Sequence, residues 1–441
     1  MRGQFNSTCG LLYHPCRPKS ASWKPEEGNI DSCSWDGVQC NENKGRVIKV
    51  GLSSSCLQGS INSSSSFFTL VDLEWLDLSS NDFNEFDLDG VTVSSPIPYS
   101  LTNLSSLTFL SLSGCELLVT PSLGNLTELY WLFLAFSNIY GELLVSIGNL
   151  RSLEILYLFE CKFFKSNSIF TCGTMDLDMF LVNLKHLGEL FLLSNKSSLL
   201  IKATSGAASH NFLFVGLRSC NVTEMPNFLK YQHHLKLLDL SSNKIHEKVP
   251  IWLLDPSIKF FRMIDSSNNL LQGRISRSLA NCSSLEFLDL GNNQISDTFP
   301  SCNKGQMMSY GKILNILSDI SLSSNRFDGE IPTSISNLRG LQILSLANNS
   351  LHGHIPSCLG KPTDLESLDL SDNYLSDKIP QQLANQFPTF DHSSFDENSG
   401  LCGTPLSKQC ETSEAPTNEN HMEGSEESVF SGASKWKIIL I

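Results

Sequence analysis

The sequence predicts an α/β-type repeat solenoid. It would be a curved stack of coils with a parallel β-sheet on its concave face and irregular or 3-10 segments on its convex face. Three observations predict it. A leucine pattern ending in asparagine returns along most of the chain. The pattern keeps a nearly constant period. Cysteine-bearing segments unlike the repeat stand at both ends, where a stack would otherwise expose its core.

The pattern is Leu-x-x-Leu-x-Leu-x-x-Asn. It occurs as Leu73, Leu76, Leu78, Asn81 and as Leu235, Leu238, Leu240, Asn243. It returns as Leu285, Leu288, Leu290, Asn293, then at Leu341 to Asn349 and Leu365 to Asn373. Further asparagines fall at 195, 269 and 325, and other residues hold the place at Ser55, Cys115, Ser137, Cys161 and Cys220. That makes 13 copies, most of them 22–26 residues apart, with three longer steps of 34, 34 and 32. This is the period of a leucine-rich repeat. Leu-x-Leu alternates with period two, so each copy supplies a short strand with its leucines inward. The strand then turns, and an inward Asn amide can satisfy the backbone groups stranded there. Cys115, Cys161 and Cys220 in the same place read as small buried thiols with a weak S–H donor, not as metal ligands. After the Asn, x-Leu-x-Gly-x-Ile-Pro continues in several copies, as at Leu351 to Pro356, giving a turn and then an extended segment.

The ends supply lids. Before the first copy stands Cys33-Ser-Trp35-Asp-Gly37-Val-Gln-Cys40, with Trp23 just ahead. After the last come Phe395, Gly400-Leu401-Cys402-Gly403-Thr404-Pro405-Leu406 and Cys410. Disulfides Cys33–Cys40 and Cys402–Cys410 are expected, each a covalent staple on an apolar cover. The pairing of Cys9, Cys16, Cys56, Cys172, Cys282, Cys302 and Cys358 stays open. Eight Asn-x-Ser/Thr sequons, at Asn6, Asn62, Asn103, Asn125, Asn195, Asn221, Asn281 and Asn348, are glycosylation candidates. With the paired cysteines they favour an oxidising, secretory compartment.

Composition narrows the function. With 31 Lys+Arg against 45 Asp+Glu, the net charge is −14. That is a poor surface for nucleic acid or for anionic lipid. Phosphate-loop, kinase, Gly-x-Ser-x-Gly and Cys-x-x-Cys signatures are missing, so neither an enzyme nor a cofactor or metal site is expected. Asp391-His392-Ser393 are sequence neighbours and not a triad; His352, His354, His233 and His234 read as solvated. What remains is the concave surface. Beside the inward leucines stand Tyr130, Trp131, Phe133, Tyr157, Phe159 and Phe191. With strands ~4.8 Å apart these rings could form one patch, and they are the candidate ligand-binding residues. Asp77, Asp239, Asp289 and Asp369 recur at one repeat position and read as structural.

Several blocks carry a family resemblance. They are Ser22 to Cys40, Asn243-Lys-Ile-His246 with Val249-Pro250, and Leu279-Ala-Asn-Cys282-Ser. To these add Asp289-Leu-Gly-Asn-Asn-Gln-Ile-Ser296-Asp-Thr-Phe-Pro300, Gln381-Gln-Leu-Ala384, the Gly400 to Leu406 cap, and Trp436-Lys437 before apolar residues. Over residues 20–441 the sequence resembles plant receptor-like proteins, the kinase-less relatives of leucine-rich-repeat receptor kinases that include the tomato Cf resistance receptors. The resemblance implies a type I plasma-membrane receptor with extracellular repeats. Such a receptor would bind an extracellular peptide, protein or glycan and signal in defence through adaptor and co-receptor kinases. The domain reading is a cap at 1–46, repeats at 47–384, a cysteine cap at 385–410, an acidic juxtamembrane stem at 411–434, and the start of a membrane helix at 435–441.

The chain departs from that pattern. Its N-terminus, around Cys9 and Cys16, has no apolar run of the secretory kind. The irregular island expected before the last repeats is nearly absent between Asn293 and Asn325. One repeat is skipped at Ala384 to Phe387, where the strand pattern passes straight into the cap. The sequence therefore reads as a truncated receptor, which as it stands would be secreted. The competing readings are a secreted inhibitor similar to plant polygalacturonase-inhibiting proteins, which would need neither the acidic stem nor Trp436-Lys437, and a non-functional truncated product.

Overall fold

The computed structural model describes residues 17–23, 31–58, 66–81, 83–86, 92–94, 99–114, 118–119, 121–136, 138–140, 146–165, 168–172, 175–177, 181–194, 199–200, 210–254, 261–275, 284–296, 317–333, 335, 338, 340–360, 365–386 and 392–410. The expected Cys115, Ser137 and Asn195 ladder places, the segment 297–316, the acidic stem and residues 435–441 lie outside these.

Fourteen strands form one sheet in chain order. β1 (Val38–Cys40) and β2 (Val47–Gly51) are antiparallel and open the stack. Every later neighbour is parallel: β3 (Trp75–Asp77), β4 (Phe109–Ser111), β5 (Trp131–Ala135), β6 (Ile155–Phe159) and β7 (Glu189–Leu193). Then come β8 (Phe214–Gly216), β9 (Leu237–Asp239), β10 (Met263–Asp265) and β11 (Phe287–Asp289). β12 (Asp319–Ser321), β13 (Ile343–Ser345) and β14 (Ser367–Asp369) close it. The inward residues are in register, with Leu76 opposite Leu110, Leu110 opposite Leu132, and so on to Leu344 opposite Leu368. They join the other pattern leucines in one buried apolar core. No repeat could bury these leucines alone, so the stack holds itself together through its neighbours. On the convex side the return segments carry 3-10 turns, as at Tyr99–Asn103, Pro121–Asn125 and Asn227–Tyr231.

The asparagine ladder has the form its chemistry requires. Asn293 is buried, and its Nδ2 donates to Leu290 O and Gly291 O of its own coil and to Ser266 O of the coil before, at 3.0–3.1 Å. Its Oδ1 accepts from Leu271 N at 2.9 Å. Asn81, Asn243, Asn269, Asn325, Asn349 and Asn373 repeat this arrangement. Where the place holds cysteine, the thiol reaches the same carbonyl: Cys161 Sγ donates to Leu134 O at 3.4 Å, and Cys220 Sγ donates to Leu192 O. Both thiols are buried and outside any disulfide.

One residue before each ladder place the backbone turns left-handed. Ser80, Ser242, Asn268, Asn292, Ser324, Asn348 and Asp372 all have φ of 53–56°. Asn and Asp are side chains that tolerate the conformation, and Gly114 has no Cβ to strain. Phe136 (φ 54°) and Glu160 (φ 48°) hold the same place without such help. The N–H of each turn residue donates to the next coil, as from Phe136 N to Phe159 O at 2.9 Å.

Both lids are built as expected. Cys33–Cys40 and Cys402–Cys410 are bridged, and Trp23 stacks on Trp35 at 5.1 Å. Cys56 is disulfide-bonded as well. The stacking does not stop at residue 384. Leu370 N donates to Ser394 O, Asp372 N donates to Asp396 O, and Phe395 is buried where a leucine would stand. Asn398 then continues the ladder, donating to Leu370 O and accepting from Leu375 N at 3.0 Å. The coil at 392–398 is thus a repeat without the Leu-x-Leu signature, where the sequence pattern suggested a skipped one.

Candidate functional site

Two rows of side chains run across the concave face between the inward residues. The first passes from Lys49 through Trp75, Phe109, Trp131, Ile155, Glu189, Phe214, Leu237, Met263 and Phe287 to Asp319. The second passes from Gly51 through Asp77, Ser111, Phe133, Tyr157, Phe191 and Gly216 to Asp239, Asp265 and Asp289. Because successive residues of a strand face opposite ways, these rows are the ones a ligand on the sheet would meet.

Rings fill the middle of both rows. Trp75 stacks on Phe109 with centroids 3.4 Å apart, and Trp131 stands edge-on to both. Phe109 meets Phe133 at 5.6 Å, Phe133 stacks on Tyr157 at 5.4 Å, and Tyr157 stacks on Phe191 at 4.3 Å. The result is one aromatic run from β3 to β7. Lys49 closes its first end, with Nζ 4.5 Å from the Trp75 ring centre. Gly216 closes its other end. A Cβ there would lie 2.6 Å from Phe191 Cδ1, so the absent side chain is what lets the ring lie over β8. Phe109 and Phe191 are only 9% exposed and form the floor, whereas Trp131 is 37% and Tyr130 43% exposed.

Beyond Gly216 the second row turns acidic. Asp239 and Asp265 each accept on Oδ1 from the backbone N–H and hydroxyl of the serine two residues on, Ser241 and Ser267. Asp77 and Asp369 do the same with Ser79 and Ser371. This is the structural role expected of a recurring Asp. Asp289 differs: the residue two on is Gly291, which supplies its N–H at 2.8 Å but no hydroxyl. Burial, with Asp265 alongside, pushes Asp289 up to about 6, and burial with the same neighbour raises Asp239. Burial raises Glu189, and burial together with Glu189 and Asp239 pushes the Tyr157 hydroxyl up to about 12.

All six ring positions picked from the sequence lie on the sheet or its rim. Phe133, Tyr157 and Phe191 form one stack, and Trp131 joins it through Phe109. Phe159 stands apart from that stack, edge-on to the exposed Phe136 at 5.2 Å. The sequence reading missed Trp75, Phe109 and Phe136. Trp75 and Phe109 were legible, since they occupy the same repeat position as Trp131. Among the sequons, Asn103, Asn125 and Asn348 are exposed and Asn221 is half-buried; Asn6, Asn62, Asn195 and Asn281 lie outside the described residues. Among the described residues no group of three His, Cys, Asp or Glu side chains is placed to hold a metal ion.

Known proteins agree with this architecture. Residues 284–304 and 316–375 match leucine-rich-repeat families. Receptor-like protein 7 of Arabidopsis thaliana is 33% identical over 213 residues, which cover 46% of this chain and 19% of that protein. Receptor-like protein 41 of the same plant is 28% identical, over 67% of this chain and 38% of that protein. The chain thus spans well under half the length of these relatives. Two solved structures share the fold at 24% identity. A plant peptide hormone receptor, RGFR1 in complex with RGF2, has a TM-score of 0.59 and covers 84% of this chain and 65% of that one. A TDR receptor has a TM-score of 0.61 and covers 77% of this chain and 54% of that one.

Proposed function

The chain is a leucine-rich-repeat protein of the plant receptor-like kind, and from that premise we propose that its solenoid is the ligand-binding part of a cell-surface receptor. The observation that carries this reading is the aromatic run. A sheet that needed only to stack would place polar residues on its solvent face. This one holds Trp131 and Tyr130 open to solvent above a floor of packed rings. Exposed aromatic patches of this kind mark partner sites. The ligand is extracellular, because two disulfides staple the lids and such bonds persist in oxidising compartments. RGFR1 is solved with RGF2 bound, and a peptide ligand suits an open sheet of this length. Signalling, in defence, passes through partner kinases at the plasma membrane. Among the described residues no helix is long and apolar enough to cross a membrane.

The test is retention of extracellular plant peptides on the immobilised chain, compared with a Trp131→Ala/Tyr157→Ala variant shown to be folded by circular dichroism. Loss of a specific peptide from the variant column is expected. Equal retention on both, or inhibition of a polygalacturonase by the intact chain, would overturn the receptor reading.

A further inference from the structure

The chemistry of the ligand can be read from the order of the two rows. Their rings are stacked on one another across strands, at interplanar angles of 1° for Trp75–Phe109, 22° for Phe133–Tyr157 and 25° for Tyr157–Phe191. Faces stacked in this way are occupied by neighbouring rings, so Phe133, Tyr157 and Phe191 offer a ligand mainly their edges; Trp131, edge-on to Trp75 and Phe109, is the exception. A sugar ring packs its apolar side on an open aromatic face, so the run is poorly suited to an oligosaccharide. Ring edges carry the positive end of the quadrupole and make good contacts with aliphatic side chains and carbonyl oxygens.

The row also has a direction. A cation, Lys49, already occupies the β2 end. At the other end Asp239, Asp265 and Asp289 stand on three successive strands, and neither their row nor the Leu237–Met263–Phe287 stretch of the adjoining row carries a cation. Of the cations on flanking positions, Arg262 is bound to Glu286 at 2.6 Å, Arg218 is near enough to favour the charged form of Asp239, and Lys236 lies on the outer row. Asp289 is held differently. It lacks the hydroxyl two residues on that Asp77, Asp239, Asp265 and Asp369 receive, and Ser321 on the next strand donates to it instead. In place of the serine two residues on is a notch at Gly291, where an added Cβ would lie 3.0–3.1 Å from Asp289 Oδ1, Ser321 Oγ and Ser323 Oγ. A donor entering there meets three oxygens.

We propose, building on the receptor reading, that the ligand is an extended peptide with an apolar segment over Trp131, Phe133 and Tyr157 and one lysine or arginine seated over Asp265 and Asp289. Tyr157 and Asp265 are four strand steps apart. At ~4.8 Å per step that is about 19 Å, or about six residues of extended chain.

The experiment uses the intact chain and labelled synthetic peptides of one apolar centre, read by fluorescence anisotropy. A single Arg is placed nearer than, at, or well beyond a spacing of about six residues, and a Gln replaces it in a neutral control. The Arg peptide at the middle spacing is expected to bind about tenfold tighter than the neutral one, the worth of one half-buried charge pair. Asp265→Asn/Asp289→Asn should erase that tenfold and leave the neutral peptide unchanged. Asn keeps the Oδ1 that Ser267 and Gly291 use, so the turn survives. Tyr157→Ala should weaken all peptides alike. If Tyr157→Ala weakens binding but charge and spacing make no difference, the concave site stands and the cation is overturned. The same holds if a chitin oligosaccharide binds and is lost in Tyr157→Ala. If no peptide binds the folded chain, the cation and the apolar peptide fall together.

Discussion

From residue 243 to 398 seven described coils carry an asparagine at the ladder place, and the residue before it is Ser, Asn, Asp or Glu. From 136 to 220 the described ladder places are held by Cys161 and Cys220, and the left-handed turn falls on Phe136, Glu160, Ser194 and Ser219. The concave surfaces differ in step. Over the asparagine coils the second row shows Asp and Ser, and Asp239, Asp265, Asp289 and Asp369 are tied into their own turns. From Trp75 to Phe191 the sheet shows packed rings, which stop at Gly216 on the Cys220 coil.

The contrast teaches where each region gets its cohesion. An Asn amide donates to three carbonyls and accepts one N–H, so it joins two coils through the turn. A thiol makes weaker versions of the donor bonds and offers little as an acceptor. At the Cys161 coil the deficit is offset on the other face, where Tyr157 stacks on Phe133 and Phe191 and each pair contributes about 0.5–1.5 kcal/mol beyond its burial. The same rings are the surface offered to a ligand.

The largest expected effect breaks the ladder where it is complete. Asn293→Leu strands Ser266 O, Leu290 O, Gly291 O and Leu271 N, and should cost about 3–5 kcal/mol in urea unfolding. A loss below about 1 kcal/mol would deny the ladder its role. Next comes pH. Asp289 keeps its proton to about 6 when folded, against 3.8 when exposed. Its contribution is therefore present below pH ~4 and is lost as pH rises through ~6, on the order of 2–3 kcal/mol. Asp289→Asn should remove that part of the stability difference between pH 4 and pH 7 while leaving the rest. Smaller still, Cys161→Ala in the ring region should cost about 1–2 kcal/mol, visibly less than Asn293→Ala, since only weak S–H bonds and a small side chain are lost. If the two cost the same, the regions are held alike. The smallest change is a gain. Glu160→Gly relieves a left-handed turn at φ 48° and should raise the unfolding midpoint by about 0.5–1 kcal/mol equivalent.

Much of the fold was legible because a leucine at every second strand position has one way to be buried. The same spacing placed Asn293 and the two cysteine thiols correctly. The coil at 392–398 was not legible, because Phe395 and Asn398 do in that place what a leucine pair and its asparagine do elsewhere. The candidate site was half legible. Phe133, Tyr157 and Phe191 could be placed on the sheet from spacing alone. Trp75 and Phe109 share the repeat position of Trp131 and were legible in the same way, but the stacking order of the rings needed the register.

By itself the sequence determined the repeat, its parallel sheet, its buried amides and its two lids. Each of these follows from local pattern: a period of two, a turn that needs a donor, a leucine face that needs covering. The tertiary structure alone decided which side chains from distant coils became neighbours. It set Phe191 over Gly216, ended the rings there, and lined Asp239, Asp265 and Asp289 on adjacent strands, one of them without its serine. Those adjacencies depend on how long each return segment is and how it packs, and no spacing within a single repeat encodes them.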